Sequence, residues 1–317
     1  MELANDKHYL ALCGGVGGAK LALGLAHCLP PQSLTIAVNI GDNFEHLGLP
    51  IWPDIDTVSY TLAGLANPEQ GWGRQAETWQ VMDELKRLGA PDWFALGDKD
   101  IALHLHRKHL LEQGNTAAEA TQLINQALGV THTVLPISNQ TISTKVHTDI
   151  GTLEFQEYFV KERAQPKLLG LDYVGAKSAQ LLPQVESLLG DPSLTGIIIC
   201  PSNPYLSIGP MLAISGLKAK LARSNAPVLA VSPIIGGQAI KGPTAKIMTE
   251  LKVTPCATLI ADLYAGFVDI TIIDETDRAL VSIKPLIKAT PTLMMNLFEK
   301  KRLAVECIKT LDGFRDE

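Results

Sequence analysis

Apolar residues fall along this chain in two rhythms. Short, nearly unbroken apolar runs rich in β-branched residues alternate with longer stretches in which apolar positions recur every three or four residues. The short runs, 9–13, 34–39, 196–200, 228–232 and 268–273, predict strands buried on both faces of a parallel sheet. Helical spacing covers 19–29, 75–88, 101–113, 116–128, 207–223, 243–251 and 291–311, with Asn115 as the expected N-cap ahead of Thr116. The alternation predicts an α/β fold: a doubly wound, mainly parallel sheet in a Rossmann-like three-layer sandwich. Residues 131–160 break the rhythm. Stretches 131–137 and 143–160 read as extended, with Asp149-Ile150-Gly151 as a turn. Together with the helical stretch 75–128 they predict a cap, roughly 75–160, over the sheet of a single 1–317 domain.

Composition narrows the class. The chain has 317 residues, 46% hydrophobic and 19% charged, with net charge −6. That balance suits a large core and argues against a nucleic-acid partner, which calls for a basic face. No apolar run approaches membrane-spanning length and the N-terminus carries no signal pattern, so the expectation is a cytoplasmic protein without a membrane partner. Five scattered cysteines form no C-x-x-C pair, which argues against zinc and against a disulfide framework, and Cys13 and Cys200, at the ends of apolar runs, predict buried thiols.

The first apolar run stops at Gly14-Gly15-Val16-Gly17-Gly18-Ala19-Lys20. Strand, glycine turn and helix present free N–H groups where a phosphate can sit, and Lys20 adds charge. The run matches neither Gly-x4-Gly-Lys-Ser/Thr nor Gly-x-Gly-x-x-Gly. A tight ligand-free turn is the alternative. Further candidates follow other strands or lie in loops. Asn39-Ile40-Gly41-Asp42-Asn43 follows the second strand, where an acid binds ribose or a metal. Pro53-Asp54-Ile55-Asp56-Thr57 offers two carboxylates that can share a divalent cation, or a helix cap from Asp56 or Thr57. Leu96-Gly97-Asp98-Lys99-Asp100 reads equally as a solvated turn. Two loops, 201–210 with Ser202, Asn203 and Ser207, and 232–237 with Gly236, Gly237 and then Lys241-Gly242-Pro243, offer hydroxyls, amides and glycines at strand ends. His104, His106 and His109 are expected on a partly exposed helix surface, and no hydrolase elbow appears.

Five of these segments, in this order between residue 9 and about 280, resemble the 2-phospholactate transferase family of deazaflavin coenzyme biosynthesis: the glycine loop, Pro53–Thr57, Leu96–Asp100, Pro201–Pro210 and Ser232–Pro243. The resemblance implies a Mg²⁺-dependent enzyme. It would move a 2-phospholactyl-type group (phospholactyl, phosphoenolpyruvyl or 3-phosphoglyceryl) from a guanosine diphospho-donor to the ribityl hydroxyl of 7,8-didemethyl-8-hydroxy-5-deazariboflavin, releasing GMP. It further implies that Gly14, Gly15, Gly17, Gly18 and Lys20 hold donor phosphates. Asp42, Asp54 and Asp56 would be catalytic, with Asp42 and Asp56 as metal ligands. Asp54, Asp56 and Lys99 would meet the deazaflavin, and Ser202, Asn203, Ser207, Gly236 and Gly237 the guanosine side. A homodimer is expected. Asn43 and Asn139 stand where relatives often carry acids, which raises the prospect of a differently charged donor acid. A diverged nucleotide- or sugar-phosphate-binding homologue and an NAD-linked oxidoreductase with Asp42 on the ribose are the other readings.

Overall fold

The computed structural model describes residues 7–239, 244–282 and 286–315. Seven strands form the central sheet: β1 (His8–Cys13), β2 (Leu34–Val38), β3 (Thr133–Pro136), β4 (Leu194–Ile199), β5 (Val228–Val231), β6 (Ile270–Ile273) and β7 (Leu286–Ala289). Their order is β7-β6-β5-β4-β1-β2-β3, and every neighbouring pair is parallel. All residues of β2, β4, β5 and β6 are buried, as unbroken apolar runs require. The chain runs outward from β1 through β2 to β3, then returns to the other side of β1 at β4. The sheet therefore reverses between β1 and β4, and ligands of such sheets bind at the carboxyl ends there.

Among the described residues eleven α-helices accompany it: α1 (Gly15–Cys28), α2 (Pro53–Leu62), α3 (Gln80–Arg87), α4 (Asp98–Glu112), α5 (Ala117–Ala127), α6 (Pro183–Leu189), α7 (Ile208–Leu212), α8 (Leu217–Arg223), α9 (Thr244–Glu250), α10 (Leu259–Leu263) and α11 (Leu297–Arg315). Helix α1 lies against α11 so closely that a Cβ on Gly24 would collide with the Lys300 carbonyl oxygen. Backbone on both sides leaves nothing to yield. Gly24→Ala should lower stability by about 1–3 kcal/mol, the usual cost of overpacking, read as a shifted denaturation midpoint with the spectrum of the native state retained.

Several expectations change. The helix predicted from residue 19 starts at Gly15, so three of the four glycines belong to its first turn. The N-cap of α5 is Thr116, not Asn115: its hydroxyl accepts from Glu119 N–H while Glu119 reaches back to Thr116 N–H. The 207–223 helix is two, because Gly216 takes φ +86° between α7 and α8. Residues 75–160 are not one insertion. Thr133–Pro136 joins the central sheet beside β2, while Ser143–Thr148 and Gly151–Glu154 form the predicted hairpin, extended by a third strand, Leu168–Val174. After the hairpin, Glu157–Lys161 makes one π-helical turn. Strand β7 and helices α6 and α10 were not predicted.

Candidate functional site

The cleft opens at the carboxyl ends of β1 and β4, where the strand order reverses. Its volume is about 740 Å³. Gly14 ends β1 and donates its N–H to Ser202 Oγ at 3.0 Å. Gly15, at φ +63°, donates its N–H to Asp54 Oδ1 at 2.6 Å. Only glycine takes that turn without strain. The other glycines serve close approach. A Cβ on Gly14 would meet Asp54 and Ser207, one on Gly17 would strike the Pro201 carbonyl oxygen, and one on Gly18 would strike Ser202 Oγ and Cys13 Sγ. The glycine run thus lets the start of α1 lie directly on the loop after β4.

Pro53 opens α2 at its first position, where a missing N–H costs nothing, and places Asp54 and Asp56 in the first turn. The two diverge in role. Asp54 faces β2: Asn39 Nδ2 lies 2.9 Å from Asp54 Oδ2 and 3.5 Å from Asp42 Oδ1, bridging the two carboxylates. Asn39 Oδ1 in turn accepts from Gly41 N–H at 2.9 Å. Burial raises the pKa of both acids, and the charge of Asp54 raises Asp42 further. Two buried carboxylates held side by side suit a hard divalent cation. No group of three His, Cys, Asp or Glu residues able to hold a metal occurs among the described residues. A cation at Asp42 and Asp54 would therefore complete its shell with ligand phosphate oxygens and water, as Mg²⁺ commonly does.

Asp56, expected beside Asp42 as a metal ligand, is committed elsewhere. Arg107 grips both its carboxylate oxygens, with NH1 3.1 Å from Oδ2 and NH2 on Oδ1. Arg107 is 1% exposed, lies 4.4 Å over the Trp52 ring and donates to Pro50 O. Cation–π contact and a fork of hydrogen bonds are how a guanidinium survives burial. His104, expected on an exposed surface, is 3% exposed and its Nδ1 lies 3.0 Å from Arg107 NH1. Burial lowers its pKa to about 4, so it is neutral, with Nδ1 as acceptor and the proton on Nε2. His106 and His109 are exposed as expected. The missed signal was polar residues on an apolar stripe: Ile101, His104 and Arg107 recur at three-residue spacing on the buried face of α4.

The Leu96–Asp100 segment does local work first. Asp98 accepts from Thr78 Oγ1 and from the N–H groups of Gln80 and Val81, capping α3, while Glu77 accepts from the N–H groups of Lys99 and Asp100, capping α4. Lys99 Nζ bonds the carbonyls of Gln75 and Ala76 and does not line the cleft. Asp100 does line it, with Oδ1 accepting from Tyr60 OH at 2.7 Å.

Gly14, Gly15, Gly17, Lys20, Asp42, Asp54, Asp56, Ser202, Asn203 and Ser207 all line this one cleft. Gly18 lies beneath it, and Gly236 and Gly237 form a hairpin turn outside its lining, where Asp277 accepts the Gly236 N–H. Lys241-Gly242-Pro243 lies outside the described residues. Asn203 uses its side chain to order its own loop, accepting from Tyr205 and Leu206 N–H and donating to Thr244. Asn139 caps α5 through Ala118 N–H, and neither it nor Asn43 lines the cleft. Aromatic residues also line the cleft: Trp72, Trp93, Phe94, Phe155 and Phe159, the last two stacked at 5.6 Å. The π-helical turn after the hairpin carries Phe159 there.

A parallel sheet with an acid-lined cleft at its reversal point defines the class, an α/β fold of the kind that binds ligands at strand ends. Comparison with known proteins narrows it. The family model for 2-phospho-L-lactate transferase CofD matches residues 10–308, and the chain belongs to that family of transferases. A phosphoenolpyruvate transferase of Streptomyces griseus is 36% identical over 86% of this chain and 87% of its own length. A 2-phospho-L-lactate transferase of Methanospirillum hungatei is likewise 36% identical, over 85% and 90%. A solved structure from Bacillus halodurans, a member of the UPF0052 family, superposes with TM-score 0.60 at 16% identity, covering 96% of this chain and 99% of that one, which shows a shared fold. Among the described residues no helix is long and apolar enough to cross a membrane.

Proposed function

We propose that this transferase moves a three-carbon phosphoacid group, phosphoenolpyruvyl or phospholactyl, from a guanosine diphospho-donor to the terminal ribityl hydroxyl of 7,8-didemethyl-8-hydroxy-5-deazariboflavin, releasing GMP. One observation carries the reading. One strand-end cleft is lined both by phosphate-suited groups, the Gly14–Gly17 turn, Lys20 and the Asp42–Asp54 pair, and by five aromatic side chains on which a ring system can lie. Two relatives at equal identity carry the two donor names, which supports that class of acid. Asn43 and Asn139 stand off the cleft lining, so they offer no support for a 3-phosphoglyceryl donor.

Attack of an alcohol on a diphosphate needs alignment and charge neutralisation more than covalent help. Lys20 and the amides at the start of α1 would hold donor phosphate oxygens. Asp42 and Asp54 would hold Mg²⁺, which when bound supplies charge at the scissile phosphates. Neutral His104, with its proton on Nε2, would donate to a ligand oxygen in the cleft, and the aromatic wall would seat the acceptor ring. The same reading carries a cytoplasmic homodimer. Incubation with MgCl₂, the deazariboflavin and each guanosine donor in turn should release GMP and give an acceptor heavier by the phosphoenolpyruvyl or phospholactyl group. No GMP release with any donor, read by mass spectrometry and nucleotide chromatography, overturns the reading.

A further inference from the structure

We propose that Asp100 is the catalytic base of the transfer, taking the proton from the acceptor hydroxyl through Oδ2 while Tyr60 holds Oδ1. The inference rests on the reading above and goes on to name the proton acceptor, which that reading leaves open.

The argument is one of occupancy. Among the described residues seven titratable side chains line the cleft: Lys20, Asp42, Asp54, Asp56, Tyr60, Asp100 and His104. A base needs a lone pair open to the cleft and a protonation equilibrium near the working pH. Lys20 is a cation with no lone pair to offer. Asp42 and Asp54 face each other across Asn39, and Asp54 also accepts the Gly15 N–H. Both oxygens of Asp56 are held by Arg107. His104 has its one acceptor nitrogen turned to Arg107. Tyr60 is pushed far above the ordinary phenol range by burial, and its hydroxyl already donates to Asp100.

Asp100 differs from all of these. Its main-chain N–H is anchored by Glu77 Oε1 at 3.1 Å, which fixes the start of α4 and with it the side chain's root. Oδ1 is fixed by Tyr60 OH at 2.7 Å. Oδ2 lies beside Gly73, where a Cβ would stand 3.9 Å away and a larger side chain would crowd it. Burial brings its pKa up to about 6, with Asp56 on α2 and Glu77 in the preceding loop also raising it, and Tyr60 and Arg74 lowering it. Arg74 lies 5.4 Å over the Tyr60 ring.

The step balances. The acceptor O–H bond breaks and its proton passes to Asp100 Oδ2. The hydroxyl oxygen forms a bond to the phosphorus that carries the three-carbon acid. The bond from that phosphorus to the bridging oxygen breaks, and its electron pair leaves on GMP. Asp100 then returns its proton to water.

Asp100→Asn keeps the shape and the Tyr60 contact but removes the proton acceptor. In enzyme with its full metal and substrates, kcat should fall by about 10²–10⁴-fold, the usual yield of a positioned base, with acceptor KM changed less than about threefold. Wild-type kcat should rise with pH through about 6 and level off, and the variant should lose that limb. Tyr60→Phe removes a hydrogen bond that favours the carboxylate, so its limb should move to higher pH while the plateau persists. Denaturation midpoints near wild type establish that both variants fold. Retention of wild-type kcat and of the acid limb by Asp100→Asn, or a raised acceptor KM at unchanged kcat, overturns the proposal and leaves the transferase reading standing. A wild-type protein that turns over no donor overturns both.

Discussion

Arg107→Met should destabilise the protein by about 3–5 kcal/mol, the cost of leaving one member of a buried ion pair without its partner. The variant strips Asp56 of both its hydrogen bonds and leaves a carboxylate at 7% exposure facing no cation. It also removes the donor to His104 Nδ1 and the cation over Trp52. Chemical denaturation followed by fluorescence should show the midpoint drop. Arg107→Met combined with Asp56→Leu should recover most of that stability, because an apolar pair of similar volume carries no desolvation cost, yet the double variant should stay inactive. Equal loss in the single and double variants would mean that packing of the Arg107 side chain, and not the charge pair, holds α4 against α2. The same geometry revises what Asp56→Asn is expected to do. The catalytic role that the family resemblance implies for Asp56 predicts a loss of activity alone. With Arg107 beneath it, stability should fall as well.

Asp54→Asn should do the opposite. Activity should fall on the order of 10²-fold or more, the scale of losing one preorganised charge contact at a reacting phosphate. Stability should change little, because the substitution removes a buried charge that raises Asp42, while its single oxygen keeps the Gly15 N–H but not also Asn39 Nδ2. Added Mg²⁺ should raise the melting temperature of the wild type and not of the variant, since only a ligand that binds the folded state shifts it. A variant that loses stability and keeps its Mg²⁺ response would remove Asp54 from the cation site.

Much of the site was legible residue by residue. The glycine run, Asp42, Asp54 and the Ser202–Ser207 loop stand at strand ends, and strand ends are readable from apolar runs. Ten of the named positions line one cleft. What misled was assigning each motif a single ligand role. Gly17 and Gly18 are glycine because the loop after β4 lies on them, and Asp98 is an aspartate because α3 has bare N–H groups. The burial of His104 and Arg107 left a trace in the apolar stripe of α4, but their pairing with Asp56 was not readable, because Asp56 lies 51 residues from Arg107 on another helix and no local pattern encodes how the two helices pack.

The sequence by itself determined the layers. Unbroken apolar strands must be buried on both faces, and helices with one apolar stripe must cover them. It also determined the family, because short motifs in a fixed order carry it without any distance being known. Only the tertiary structure decided which motifs share a cleft and what occupies each carboxylate. Two aspartates two residues apart differ because one meets Asn39 and a glycine amide and the other meets a buried guanidinium. A side chain's ionisation and availability are set by what lies against it in space, and those neighbours come from distant parts of the chain.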